Sequence, residues 1–132
     1  GRLSLPEMVE WLRRSELMVS NDTGPMHVAA ALGTPVIALF GPTEPCRTGP
    51  YHQLEHVLQL NLPCVPCLKA RCAYVKPFEC LRAMPPAAVF DAVQRRLDAT
   101  ATASAGCARV PLMPARRLLQ LATLPDALRV VA

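Results

Sequence analysis

Apolar positions in the first forty residues follow two different periods. Leu5, Met8, Val9 and Leu12 recur at i, i+3, i+4 and i+7, the spacing of one face of an amphipathic helix. Ser4 and Glu7 stand three apart at its start as a capping box, and Arg13, Arg14 and Glu16 close it on the wet side. Leu17-Met18-Val19-Ser20 is then a short apolar run, which predicts a strand covered on both faces. A second helix is expected over Met26 to Leu32, with Pro25 in its first turn and Gly33 just past its end. Pro35 to Phe40 reads as another buried strand, entered through Pro35. Strand, helix and strand in this order form a crossover unit, long enough to bring two strands together in parallel. His56 to Leu60 suggests a third strand, and residues 61–85 a loop dense in Cys and Pro. A further helix fits Pro86 to Leu97, with Val89, Phe90, Val93 and Leu97 on one face. Ala99 to Ala105 is low-complexity Ala/Thr/Ser and is expected as a linker, and Arg116 to Leu124 as a weak helix ended by Pro125.

Composition narrows this picture. The chain of 132 residues is 52% hydrophobic and 18% charged, enough apolar material for the core of one ordinary domain or of one half of a two-domain enzyme. Fourteen prolines, against a usual share of ~5%, favour short elements joined by stiff turns over a helical bundle. Charge is uneven: residues 1–63 hold four basic and six acidic side chains, residues 64–132 ten and four. A basic second half suits an anionic ligand or a membrane surface but is too mild to imply nucleic acid. Thr23 to Phe40 lacks any Lys, Arg, Asp or Glu, yet Gly33-Thr34-Pro35 divides it and neither part reaches the ~20 residues of a membrane span. The chain opens on Gly1 with no charged-then-apolar leader, as expected of the interior of a longer reading frame.

Candidate chemistry concentrates in Ser20-Asn21-Asp22-Thr23-Gly24-Pro25-Met26-His27, where a strand hands over to a helix. Open parallel sheets bind ligands at the carboxyl ends of their strands, and a helix start offers unpaired N–H groups to a phosphate. Gly24 places no side chain between backbone and phosphate, Thr23 adds a hydroxyl donor, and His27 a ring N–H one turn later. Asp22 is a poor phosphate neighbour, but its carboxylate accepts hydrogen bonds from sugar hydroxyls. A plainer reading has Asp22 or Thr23 as a helix cap and His27 as a packing residue. The second strand favours the ligand reading, because it ends in Phe40-Gly41-Pro42-Thr43, a second small polar loop at the same sheet edge.

Asn21-Asp22-Thr23-Gly24-Pro25-Met26-His27-Val28-Ala29-Ala30-Ala31-Leu32-Gly33-Thr34-Pro35, then Phe40-Gly41-Pro42-Thr43-Glu44-Pro45 and Gly49-Pro50, closely resembles glycosyltransferase family 9. These are the heptosyltransferases of the bacterial lipopolysaccharide inner core. The resemblance runs from about Leu3 to Val93. It implies an α/β fold, a partial Rossmann-like parallel sheet from the C-terminal half of a GT-B glycosyltransferase. Residues 1–98 would be part of the donor-binding domain and residues 99–132 a linker and tail. The implied donor is a nucleotide sugar, ADP-heptose, and the acceptor the lipopolysaccharide core or a lipid A precursor. On this pattern Asp22 holds the heptose hydroxyls, Thr23, Gly24 and His27 the diphosphate, and Gly41, Pro42 and Thr43 complete the donor site. Transfer would invert the anomeric centre without a metal ion or other cofactor, using an Asp base from the N-terminal half, which this sequence lacks. The chain by itself is therefore expected to be inactive. The resemblance also implies a cytoplasmic location, with peripheral contact at the inner membrane and no nucleic-acid partner.

Cys64-x2-Cys67-x4-Cys72-x7-Cys80 has metal-ligand spacing, with Cys46 and Cys107 outside it. Two readings stay open here: four thiolates around a structural zinc ion, or four reduced thiols in a Pro-rich loop. Lys69, Arg71, Lys76 and Arg82 lie among them, as a solvated surface or as a face toward a phosphorylated acceptor. Two other functions compete with the leading one. One is a transferase using a different nucleotide sugar. The other is a zinc-ribbon binding module, which leaves the Asp22–His27 and Phe40–Thr43 segments unexplained.

Overall fold

The computed structural model describes residues 3–104. The chain divides after Ala101, and the sheet and the side chains discussed below belong to the unit before that division. The expected helix at Arg116–Leu124 lies outside the described residues.

Helix α1 spans Leu5–Arg14 and begins at Ser4, whose N–H and hydroxyl both donate to Glu7 Oε2, at 2.7 and 2.6 Å. Those two bonds stabilise the ionised carboxylate and hold the Glu7 pKa below its ordinary value. The expected apolar face is only partly buried: Leu12 is in the core, Met8 and Val9 are half-buried, and Leu5 is exposed. Strand β1, Met18–Asn21, leads to helix α2, Gly24–Ala31. Gly33 then takes φ 75°, a left-handed conformation that costs a side-chain-bearing residue but not glycine. The chain turns there into strand β2, Val36–Phe40. A single-turn helix α3, Pro45–Thr48, and a 3₁₀ turn, Leu54–His56, precede strand β3, Val57–Gln59. Another single-turn helix, α4 at Glu79–Arg82, interrupts the Cys-rich loop before helix α5, Pro86–Ser104.

The three strands are parallel in the order β1-β2-β3, with Met18 opposite Val36 and Ala38 opposite Val57. Val36, Ala38 and Phe40 share one face of β2 and join Leu12, Met26 and Ala29 in the core, with Met8, Met18, Val28 and Val57 packed against them. Two polar side chains bind the entry to β2 into this core. Thr34 Oγ1 donates to the Leu12 carbonyl at the end of α1, at 2.9 Å. Gln53 is buried, and its amide bridges the turn: Nε2 donates to the Thr34 carbonyl at 3.0 Å and Oε1 accepts from the Val36 N–H at 2.8 Å.

Three expectations need correction. β1 is not covered on both faces: Val19 is 46% exposed. The buried stripe of α5 runs through Ala92, flanked by half-buried Val89, Val93 and Leu97, while Phe90 points outward. α5 also continues past Leu97 through the Ala/Thr/Ser stretch to Ser104, because alanine favours helix more than any other residue.

Candidate functional site

Parallel pairing brings the ends of β1 and β2 to the same sheet edge, with Asn21 opposite Leu39. The two loops that leave there are joined by one side-chain bond. Thr48, the last residue of α3, donates its hydroxyl to Asp22 Oδ2 at 2.9 Å. Asp22 is thus held by one oxygen, and Oδ1 lies 3.9 Å from His27 Nε2, too far for a hydrogen bond. Its side chain is about one-fifth exposed, and that of His27 about one-half.

Thr23 occupies the N-cap of α2 in an extended conformation, but its side chain does not cap the helix. Its Oγ1 lies 3.0 Å from Ser20 Oγ and 3.3 Å from the Asn21 carbonyl. The start of α2 is therefore left without a side-chain cap. Gly24 opens the helix, and a Cβ added to it would meet nothing within 4 Å. Its backbone is not left-handed, so neither packing nor conformation in the described chain requires glycine here.

The β2 loop is arranged differently. Gly41 is buried, and a Cβ there would come within 2.8 Å of Leu81 Cγ and 3.1 Å of Cys80 Sγ, so its missing side chain makes room for α4. Thr43 Oγ1 is sealed from solvent and has no hydrogen-bond partner. Gln59 of β3 fixes this loop from below, its Nε2 donating to the carbonyls of Gly41 at 3.1 Å and Thr43 at 2.9 Å. The Pro42 carbonyl accepts from the Leu68 N–H at 2.8 Å. Thr23, Gly24 and His27 are thus exposed and Asp22 half-buried, whereas Gly41 is buried and Pro42 and Thr43 are half-buried. Thr48 and Gln59 were not singled out in the sequence. Their only signal there was the position of Thr48 directly before Gly49-Pro50, inside the family-like segment.

Beside the β2 loop lies a cavity of about 40 Å³, lined by Cys64, Cys67, Cys72 and Cys80 together with Pro42, Lys69 and Glu79, among others. The Cys72 thiol is held below its ordinary pKa by the backbone N–H groups of Phe78 and Tyr74, whereas burial pushes the Cys80 thiol up. Lys69, Arg71, Lys76 and Arg82 are all exposed; Lys76 lies 3.6 Å from Glu79, and Arg82 stacks 5.8 Å from the Phe78 ring centre.

Open parallel sheets bind ligands at the carboxyl ends of their strands, and here that edge carries a helix start without a side-chain cap beside a carboxylate held by Thr48. Residues 1–77 match the model of glycosyltransferase family 9 (heptosyltransferase), and the chain belongs to that family. It is 47% identical over 73 residues to lipopolysaccharide heptosyltransferase 1 of Pseudomonas aeruginosa, covering 55% of this chain and 21% of that protein. To lipooligosaccharide heptosyltransferase 2 of Campylobacter jejuni it is 31% identical over 81 residues, 61% of this chain and 25% of the relative. Lipopolysaccharide heptosyltransferase 2 of Escherichia coli K12 is 40% identical over 60 residues, 46% and 17% of the two chains. The chain thus spans about a quarter or less of the length of these relatives. No solved structure matches it.

Proposed function

We propose that this chain forms part of the donor site of a heptosyltransferase, which moves heptose from ADP-heptose to the lipopolysaccharide inner core. The observation that carries the proposal is the open start of α2 at Gly24, set beside a carboxylate that Thr48 holds in place. Family membership and the names of the relatives support it. In this reading the Gly24 turn takes the diphosphate, with partial positive charge at the helix start neutralising the leaving group. Asp22 keeps Oδ1 available to accept from heptose hydroxyls while Thr48 occupies Oδ2. His27 donates a ring N–H toward a phosphate oxygen. The Gly41–Thr43 loop shapes the wall through its backbone. In this reading the base that deprotonates the acceptor hydroxyl comes from another part of the enzyme, and Asp22 serves sugar recognition. The acceptor being lipid-borne, the enzyme would work at the cytoplasmic face of the inner membrane as a peripheral protein.

Asp22→Ala in the full-length enzyme tests this. The expected result is a loss of heptose transfer of a hundredfold or more, in line with removing a charged hydrogen-bonding partner of ~3 kcal/mol, with an unchanged circular dichroism spectrum and melting temperature. Wild-type turnover in this variant would end the sugar-holding role.

A further inference from the structure

The loop between β3 and α5 carries a cluster that donor binding does not use. Cys64, Cys67, Cys72 and Cys80 all line the same cavity of about 40 Å³, and none is in a disulfide. Cys80 is the fixed member: it lies on α4, is 9% exposed, and its Sγ packs over the backbone of Gly41 at the end of β2. Cys72 Sγ accepts the Phe78 N–H at 3.3 Å, and such backbone donation favours sulfur in its charged, metal-ligating form. Cys64 and Cys67 are separated by two residues, the spacing of a chelating pair.

The loop also needs a staple. Leu68, Val75 and Phe78 are 57%, 93% and 50% exposed, so these three apolar side chains add little to a core, while Leu62, Val65 and Leu81 are only half-buried. Segments that cannot bury enough surface are commonly held by a disulfide or a metal. Four sulfur donors select a soft or borderline cation and disfavour magnesium or calcium. As the side chains stand, no three His, Cys, Asp or Glu residues among those described are grouped to hold an ion. The four cysteines line one cavity, and an ion bound there would draw their sulfurs together around Cys80, the buried member.

We propose that Cys64, Cys67, Cys72 and Cys80 bind one structural zinc ion in a tetrahedral thiolate site. Four S–H protons pass to solvent, four Zn–S bonds form, and no oxidation state changes. Pro42 lines the same cavity, and its carbonyl already holds the Leu68 N–H at 2.8 Å. The ion would therefore brace the β2 loop of the sheet-edge site through the Cys-rich loop. This assignment rests on the cysteines alone and stands whether or not the donor is ADP-heptose.

The test is elemental analysis of the full chain, purified under reducing conditions without chelator or added metal. About one zinc per chain is expected, lost in the Cys64→Ser/Cys67→Ser double variant. Should that variant fail to fold, the wild type still decides. After removal of metal it is titrated with Co²⁺, and the visible bands of tetrahedral cobalt thiolate should saturate at about one equivalent and vanish on adding Zn²⁺. Four freely titrating thiols with no metal and no cobalt bands would overturn the proposal. So would a disulfide among the four, an iron chromophore, or zinc fully retained by a folded double variant.

Discussion

Gln53→Leu removes an amide that no neighbouring side chain replaces. The Val36 N–H and the Thr34 carbonyl would both lose their Gln53 partner inside the core, where Val36 is 0% and Thr34 5% exposed. Each buried group left unpaired costs roughly 1–3 kcal/mol. Leucine returns part of this through its own burial, on the order of 1–2 kcal/mol. At the middle of these ranges the net loss is about 2–3 kcal/mol, thirtyfold or more in the folding equilibrium. Urea unfolding of the full chain, followed by circular dichroism, should show a midpoint lower by about 1–2 M with an unchanged slope. Gln53→Glu makes a sharper control, since it keeps an acceptor for Val36 but has no donor for Thr34 while ionised. Its deficit should shrink at acid pH, where the protonated carboxyl donates again. A Gln53→Leu chain within 0.5 kcal/mol of wild type would refute the argument that this amide closes the entry to β2.

Three further outcomes are expected. Gly24→Ala should leave the melting temperature within a few degrees of wild type, because its Cβ meets nothing, yet lower donor affinity tenfold or more by calorimetry; unchanged affinity would remove the phosphate from this turn. Thr48→Val should weaken donor binding by about tenfold through the loss of one charge-assisted bond to Asp22, and Thr48→Ser should restore it; equal affinity in all three would show that Asp22 needs no support. Burial, followed by the Arg96 charge, lowers the His56 pKa despite the opposing effect of Glu55, so the unfolded chain takes up this proton at higher pH than the folded one. Its contribution to stability is full above the ordinary histidine range and is lost as pH falls through that range; denaturation curves at several pH values should show the decline, and His56→Gln should flatten it.

Residues whose partners are near in sequence were the legible ones. Helix α2 and its stop at Gly33 followed from Pro25, the alanines and a glycine that proves to have φ 75°. The parallel pairing of β1 and β2 followed from two apolar runs and the length between them. Asp22, Thr23, Gly24 and His27 were visible for the same reason, as they occupy one strand-to-helix turn. Distant partners were not legible. The amides of Gln53 and Gln59 reach their carbonyls across 19 and 18 residues, through a register that only the assembled sheet defines. The helices α3 and α4, four residues each, are single turns and too short to show a period. Thr43 looked like a ligand-facing hydroxyl because of its place after β2, yet Oγ1 is sealed in. The exposure of Val19 depends on what packs against its face of the sheet, which no local pattern encodes.

The amide of Gln59 gives the sheet's smallest strand an outsized influence. β3 is three residues long and, among the described residues, pairs with β2 alone, so it should be the first strand to fray. When it opens, the carbonyls of Gly41 and Thr43 lose their common donor, while the contacts of Phe40 in the core remain. A one-residue slip of β3 would have a similar effect, replacing the amide with an aliphatic side chain from Leu58 or Leu60. Order in the β2 exit loop is therefore borrowed from the margin of the sheet rather than from its centre. Amide exchange in that loop should keep time with β3 and run ahead of β1 and β2.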